Sequence, residues 1–180
     1  MTDAAPQALA GVRVIDLATT RAELAGRVLA DLGAQVIKIE PPEGCAARRL
    51  PPFREQHPND PIEGSLYWAS VGLGKHSVVL ALESPDDHKR LLGLIDAADV
   101  LIESFDPGVM AALGLGYSTL AQRNPGLVYT SITPFGQTGP AAFAPAIDLT
   151  IEASGGLIGL QGDGDRPPMA IGLPQASFHA

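Results

Sequence analysis

The sequence has one cysteine in 180 residues, Cys45, which excludes an internal disulfide; no histidine partner stands near it in the chain, so it reads as an incidental free thiol. Only 12 Lys and Arg oppose 20 Asp and Glu, a formal net charge of −8. That balance, with a pI near 4.8, excludes the clustered cations that a phosphate backbone requires, and no nucleic-acid partner is expected. No apolar run approaches the roughly 18 to 20 residues of a membrane span. Residues 1–9 are too polar and too poor in basic residues for a secretory signal, so a cytoplasmic protein without a membrane partner is expected. The standard catalytic motifs are missing as well. There is no GxGxxG after the first apolar run, no phosphate-loop lysine motif, no HExxH and no GxSxG, and a dinucleotide-binding dehydrogenase loses its sharpest marker. The four histidines, His57, His76, His88 and His179, are scattered; His57 and His88 read as solvated, and the other two lie near loop or strand edges with no readable partner.

What is present is a globular core. Hydrophobic residues make up 46%, mean hydropathy is +0.15, and the length suits one domain. The 20 glycines and 16 prolines imply many turns rather than low complexity, because apolar runs persist between them. Strand expectations are residues 12–17, 36–39, 77–82, 100–102 and 127–132, separated by helical spacing from Ala22 to Leu32, over 65–71, from Ser84 to about Ala97, in a short turn ending near Gly114, and in a helix capped by Ser118 that stops before Asn124-Pro125. Ser84 and Pro85, followed by Asp86 and Asp87, form a helix-start signature whose acidic residues complement the helix dipole. Crossovers of this length make neighbouring strands parallel, so the fold class is α/β with a Rossmann-like, mostly parallel sheet flanked by helices. In such sheets ligands sit beyond the carboxyl ends of the strands, which points to residues 103–108 and 133–140.

Residues 43–64 read as an exposed, polar excursion in which Arg48 and Arg49 form a solvated pair rather than a phosphate clamp. Residues 147–153 read as a helix. Asp163 and Asp165 lie in a glycine-rich segment without the donor spacing of a calcium loop, so turn chemistry is favoured and no metal is expected. From spacing alone the ligand stays unidentified.

Six collinear blocks narrow the choice: LAGVRVIDLA, LADLGAQVIKIEPPEG, GKHSVVLAL, ADVLIESFDPGVMAALGLGY, NPGLVYTSITPFGQTGP and DLTIEASGGLIGLQGDGDRPPMAIGLP. Together they resemble the N-terminal part of the family III CoA-transferases, a group that includes formyl-CoA transferase, carnitine CoA-transferase and the α-methylacyl-CoA racemases. Residues 1–8 read as a disordered leader, and the resemblance implies a large domain over 9–180 that is truncated relative to the family. It also implies an intertwined homodimer or a second family-like domain. CoA or acyl-CoA would be a substrate together with a carboxylic acid, and no cofactor would be tightly bound. The family's chemistry uses an aspartate that attacks the thioester, giving a mixed anhydride and then an aspartyl-CoA thioester.

That aspartate follows a G-x-P-x-A segment, which here is Gly172 to Ala176, and the next residue is Ser177. No catalytic residue is therefore assigned to this segment by itself. The racemase His-Asp pair corresponds to Ile147-Asp148, the Ala-Gly-Pro of the first loop to Ala22-Glu23-Leu24, the Asn of Glu-Asn-Phe to Ser104, and the arginine of the following helix to a small residue near Ala112. An acidic Glu23 is expected to be unwelcome beside CoA phosphates. The positions implied to contact CoA are Ala22, Leu80, Glu103, Ser104, Phe105, Pro107 and Gly108. Two readings follow: a divergent CoA-transferase needing further chain or a partner copy, or a non-catalytic CoA-ester-binding or structural half of a larger assembly.

Overall fold

The computed structural model describes residues 7–55, 60, 62–162, 164–169, 172 and 175–178. Five strands form one sheet in the order β3-β2-β1-β4-β5. They are β1 (Arg13–Leu17), β2 (Gln35–Glu40), β3 (Lys75–Val79), β4 (Val100–Glu103) and β5 (Val128–Ser131). Every neighbouring pair is parallel, with Ile15 opposite both Ile37 and Leu101. The α/β expectation holds, and four of the strands lie within two residues of where hydrophobic runs put them. The exception is β3, which starts at Lys75 rather than Ser77 and ends at Val79 rather than Leu82. His76 faces solvent on this edge strand, while Lys75 and Ser77 on its other face are polar because they bond the buried carboxylates of Asp16, Glu23 and Glu40, so none of the three looks like a strand residue.

Helices are α1 (Glu23–Asp31), α2 (Leu66–Val71), α3 (Pro85–Asp96), α4 (Val109–Ala112), α5 (Tyr117–Arg123), α6 (Asp148–Ser154) and α7 (Gln175–Phe178). Strand alternation sends Val14 and Val36 to one face, where they meet Ala22, Ala25 and Leu29 of the α1 region. Ile15, Leu17 and Leu101 face the other way and pack on Leu91 and Ile95 of α3 and Leu120 of α5. Pro85 opens α3 after Ser84 as expected, but the Ser84 side chain makes no cap bond; Asp87 instead accepts from the Ala81 N–H at 3.1 Å. The cap of α5 is Gly116, not Ser118, because the helix begins one residue before the serine.

Two polar arrangements inside this apolar frame correct the sequence reading. Arg48 is buried rather than solvated. Its guanidinium forks onto Glu40, with Nε to Oε2 and Nη2 to Oε1 both at 2.7 Å, and lies 4.3 Å over the Trp68 ring. Proximity in sequence made Arg48 and Arg49 look like one charge cluster, yet only Arg49 stays at the surface, donating to the Glu43 carbonyl at 3.0 Å. The excursion over 43–64 is thus anchored by a 3-10 turn (Ala46–Arg49) whose Ala47 and Arg48 are buried.

Burial alone would raise the Glu40 carboxyl pKa. Hydrogen bonds from Arg48, Ser77 and the Cys45 N–H, with the Arg48 charge, outweigh that and hold it at about 2. A depressed folded-state value contributes stability that is present above the unfolded pKa of about 4.3 and is lost as pH falls toward 2, an effect of at most about 3 kcal/mol. Thermal denaturation should therefore show a falling midpoint between about pH 4.3 and 2, and Arg48→Met should reduce that acid-side slope, the Ser77 and Cys45 hydrogen bonds to Glu40 remaining. A slope unchanged in the variant would contradict the assignment. Cys45 lies beside this pair, and burial, then the charges of Glu23 and Glu40, push its thiol up to about 12, which makes it an inert thiol.

The second arrangement is a buried quartet under α1. Lys38 Nζ lies 2.8 Å from Glu23 Oε1 and 3.3 Å from Asp16 Oδ1, while Lys75 Nζ lies 2.8 Å from Asp16 Oδ2 and 3.0 Å from Glu23 Oε2. Burial by itself would lower the Lys38 pKa, but the charges of Asp16 and Glu23 more than offset it and the net direction is upward. Gly26 is what lets α1 descend on this cluster, since a Cβ there would stand 2.1 Å from Asp16 Oδ2. Glu23 is therefore a neutralised structural carboxylate, 1% exposed, and not an acidic side chain turned toward a ligand.

Candidate functional site

The chain runs from β1 outward to β2 and β3, then returns to place β4 on the other side of β1. The crevice beyond the carboxyl ends of β1 and β4 is where such sheets bind ligands. Three loops meet there, residues 18–22 after β1, 104–108 after β4 and 132–147 after β5. The first two are tied together. Ser104 Oγ accepts from the Thr19 N–H at 2.7 Å and shares a hydrogen bond of 2.8 Å with Thr19 Oγ1, and Arg21 Nη1 donates to Asp106 Oδ1 at 2.8 Å. Beneath them Lys38 donates to the Ala18 carbonyl, so the buried quartet braces the first loop.

The residues implied by sequence divide into two groups. Ala22, Leu80, Glu103 and Ser104 are at most 3% exposed and belong to the framework. Glu103 accepts from the Phe105 N–H at 2.9 Å, and Phe105 packs against the apolar cluster that includes Leu80. Gly108 is exposed and takes φ 88°, a left-handed turn that a side chain would strain, where it starts α4. Glu103 and Gly108 nonetheless border a cavity of about 490 Å³ with Asp106, Met110, Tyr117 and Tyr129. Burial, then the Glu103 charge, push the Tyr129 hydroxyl up to about 12, so it stays protonated, and its ring meets Tyr117 edge-on at 6.0 Å. No Lys or Arg among the described residues lines this cavity. Pro107 instead joins Arg21 in a neighbouring cavity of about 360 Å³.

Ser177 lies away from the tyrosine cavity. It borders a smaller one of about 170 Å³ with Arg21, Ile132, Thr133, Pro134, Ile151 and Ala176. Asp148, the first residue of α6, holds the start of α7: its Oδ1 accepts from the Ser177 N–H at 2.8 Å and the Ser177 hydroxyl at 2.7 Å, and its Oδ2 from the Ala176 N–H at 3.3 Å. Arg21 was not among the sequence candidates, and Thr133 was included only as the first residue of the ligand-facing loop expected over 133–140. The available signal was the position of each just past a strand end, at residue four after β1 and residue two after β5. Of the remaining sequence candidates, His76 is exposed on β3 and His88 is half-buried on α3, while His57, His179 and Asp163 lie outside the described residues.

The model of CoA-transferase family III matches residues 9–179, nearly the whole chain. The chain belongs to CoA-transferase family III. A succinate–glutarate CoA-transferase of Agrobacterium fabrum is 40% identical over 173 residues, 94% of this chain and 43% of that protein. An acetyl-CoA:oxalate CoA-transferase of Acetobacter aceti is 42% identical over 90% of this chain and 40% of its own. Among solved structures, a CAIB/BAIF family protein from Brucella suis superposes with a TM-score of 0.88 at 37% identity, covering 96% of this chain and 45% of that one. The chain thus spans less than half the length of these family members and corresponds to their N-terminal fold. No helix among its described residues is long and apolar enough to cross a membrane.

Proposed function

We propose that this chain is the CoA-binding half of a cytoplasmic family III CoA-transferase, acting on an acyl-CoA thioester and a carboxylic acid, whose nucleophilic carboxylate comes from further chain or a partner copy. The observation that carries the proposal is the pairing at residue 177. The group there is a hydroxyl, and the nearest carboxylate, Asp148, has its oxygens engaged by three donors. An anhydride needs a carboxylate oxygen free to attack a thioester carbon, and a serine ester would move the acyl group rather than CoA. A second family-like domain would supply the missing group, and an intertwined homodimer would supply it only from chain outside residues 1–180, because every copy carries Ser177.

In this reading CoA lies along the carboxyl edge of the sheet. Gly108 lets it approach the backbone, with Pro107 and Phe105 beside it, while Ala22, Leu80, Glu103 and Ser104 hold the loops in place and contribute main-chain contacts. The cavity next to Glu103 accepts the uncharged parts of CoA, because two carboxylates and, among the described residues, no cation border it. The alternative, a structural half that binds CoA esters without taking part in catalysis, shares all of this except the partner's nucleophile. Calorimetric titration of the assembled protein with CoA is expected to give saturable binding with a shallow salt dependence, since few cations face the crevice. No binding would overturn the proposal.

A further inference from the structure

We propose that the Arg21–Asp106 ion pair is a latch on the crevice, in which Asp106 occupies the guanidinium until a phosphate of CoA takes its place. The proposal rests on the CoA-transferase reading and describes how that site is regulated.

The pair links three cavities. Asp106 borders the one of about 490 Å³ and Arg21 the one of about 170 Å³, and both line the third, of about 360 Å³. Among the described residues Arg21 is the only Lys or Arg lining any of the three, so a ligand that brings phosphates into this crevice has one guanidinium to meet. That guanidinium is already engaged, Nη1 donating to Asp106 Oδ1 at 2.8 Å.

The loops after β1 and β4 do not depend on this bond. Thr19 and Ser104 join them through hydrogen bonds of 2.7 and 2.8 Å, and Lys38 holds the Ala18 carbonyl from beneath. The side chains of Arg21 and Asp106 are 31% and 73% exposed, and an exposed pair of this kind has small net strength. Asp106 can therefore turn out to water at little cost. A phosphate offers several oxygens to the guanidinium nitrogens that Asp106 leaves unused, which makes it the stronger partner for a planar fork of donors. A small, singly charged anion has no such advantage. The latch thus lowers CoA affinity somewhat and keeps the guanidinium closed to stray anions.

Calorimetric titration of the full assembled protein tests the latch. Asp106→Ala should tighten CoA binding by about three- to fivefold, the strength of an exposed ion pair, and leave the binding of pantetheine, the phosphate-free arm of CoA, unchanged. It should also steepen the salt dependence of CoA binding, because the variant forms an ion pair without opening one. In an Arg21→Gln background the same substitution should change CoA affinity by less than about 1.5-fold. A gain that persists in that background means that Asp106 repels phosphates directly, and no gain in the single variant means that the pair stays closed; either result overturns the latch, as does equal tightening of pantetheine. A fall of more than about 4 °C in the thermal midpoint of Asp106→Ala marks the pair as a structural brace and overturns it too. If CoA binds neither the unmodified protein nor any variant, the CoA-transferase reading fails separately, and inorganic pyrophosphate decides the latch: binding that Asp106→Ala tightens at least about threefold upholds it, and binding that is absent or insensitive to the substitution overturns it.

Discussion

Lys38→Met is expected to destabilise the fold by about 3 to 5 kcal/mol, the cost of breaking a buried ion pair by removing one partner. The side chains of Asp16, Glu23 and Lys38 are fully buried and that of Lys75 nearly so, and two carboxylates face two ammonium groups. Deleting Lys38 leaves Lys75 to neutralise both carboxylates in a site closed to water. Methionine keeps the volume, so the loss reports charge and hydrogen bonding rather than a cavity. Urea denaturation reads the effect as a lowered midpoint at constant slope. Lys38→Met combined with Glu23→Leu restores charge balance and should recover a large part of the loss, because the two sites share partners and are not additive. A single variant as stable as the unmodified protein would show that the quartet is not coupled as its geometry indicates. The consequence reaches the site, since Lys38 also holds the Ala18 carbonyl and with it the first loop of the crevice.

Ser177→Asp is expected to create the carboxylate that the family's chemistry requires, with a penalty that depends on pH. The Ser177 hydroxyl stands 2.7 Å from Asp148 Oδ1, so a carboxylate introduced there meets another at close range. Two carboxylates sharing a site cannot both ionise at low cost, and one pKa of the pair rises. A raised folded-state carboxyl pKa stabilises the fold below that value and destabilises it above, by about 1.4 kcal/mol for each unit of rise. The variant should thus be less stable at pH 8 than at pH 5 in thermal denaturation. Any acyl exchange it gains should rise with pH, as the nucleophilic form is populated. Adding Asp148→Asn removes the repulsion and should flatten the stability profile. A flat profile in Ser177→Asp alone would mean that the new side chain swings clear of Asp148 into the cavity.

The central strands were legible because Val14, Ile15 and Leu17, interrupted only by Asp16, and Val100–Ile102 are short, mostly apolar runs between turn signals. The start of β3 was hidden because His76 faces solvent at the sheet edge and Lys75 is buried only through its pairing with Asp16 and Glu23. Arg48 and Glu23 were misread for one physical reason: sequence shows a charge and its chain neighbours, whereas the partner lies elsewhere. Glu40 is 8 positions from Arg48, and Lys75 is 52 positions from Glu23. That Glu103 and Gly108 border a crevice at the carboxyl edge of the sheet followed from strand order. Arg21 and Thr133 could not be joined on paper, because only the return of the chain to β4 and β5 brings the two loops to one cavity.

The most direct test of the account is the intact mass of the assembled protein after incubation with succinyl-CoA. The account predicts that succinyl-CoA binds while residues 1–180 keep their unmodified mass in every copy, any covalently attached CoA appearing on a carboxylate outside them, in further chain or in a second domain. A CoA adduct mapped to Asp148, or to any other carboxylate within residues 1–180, would contradict it.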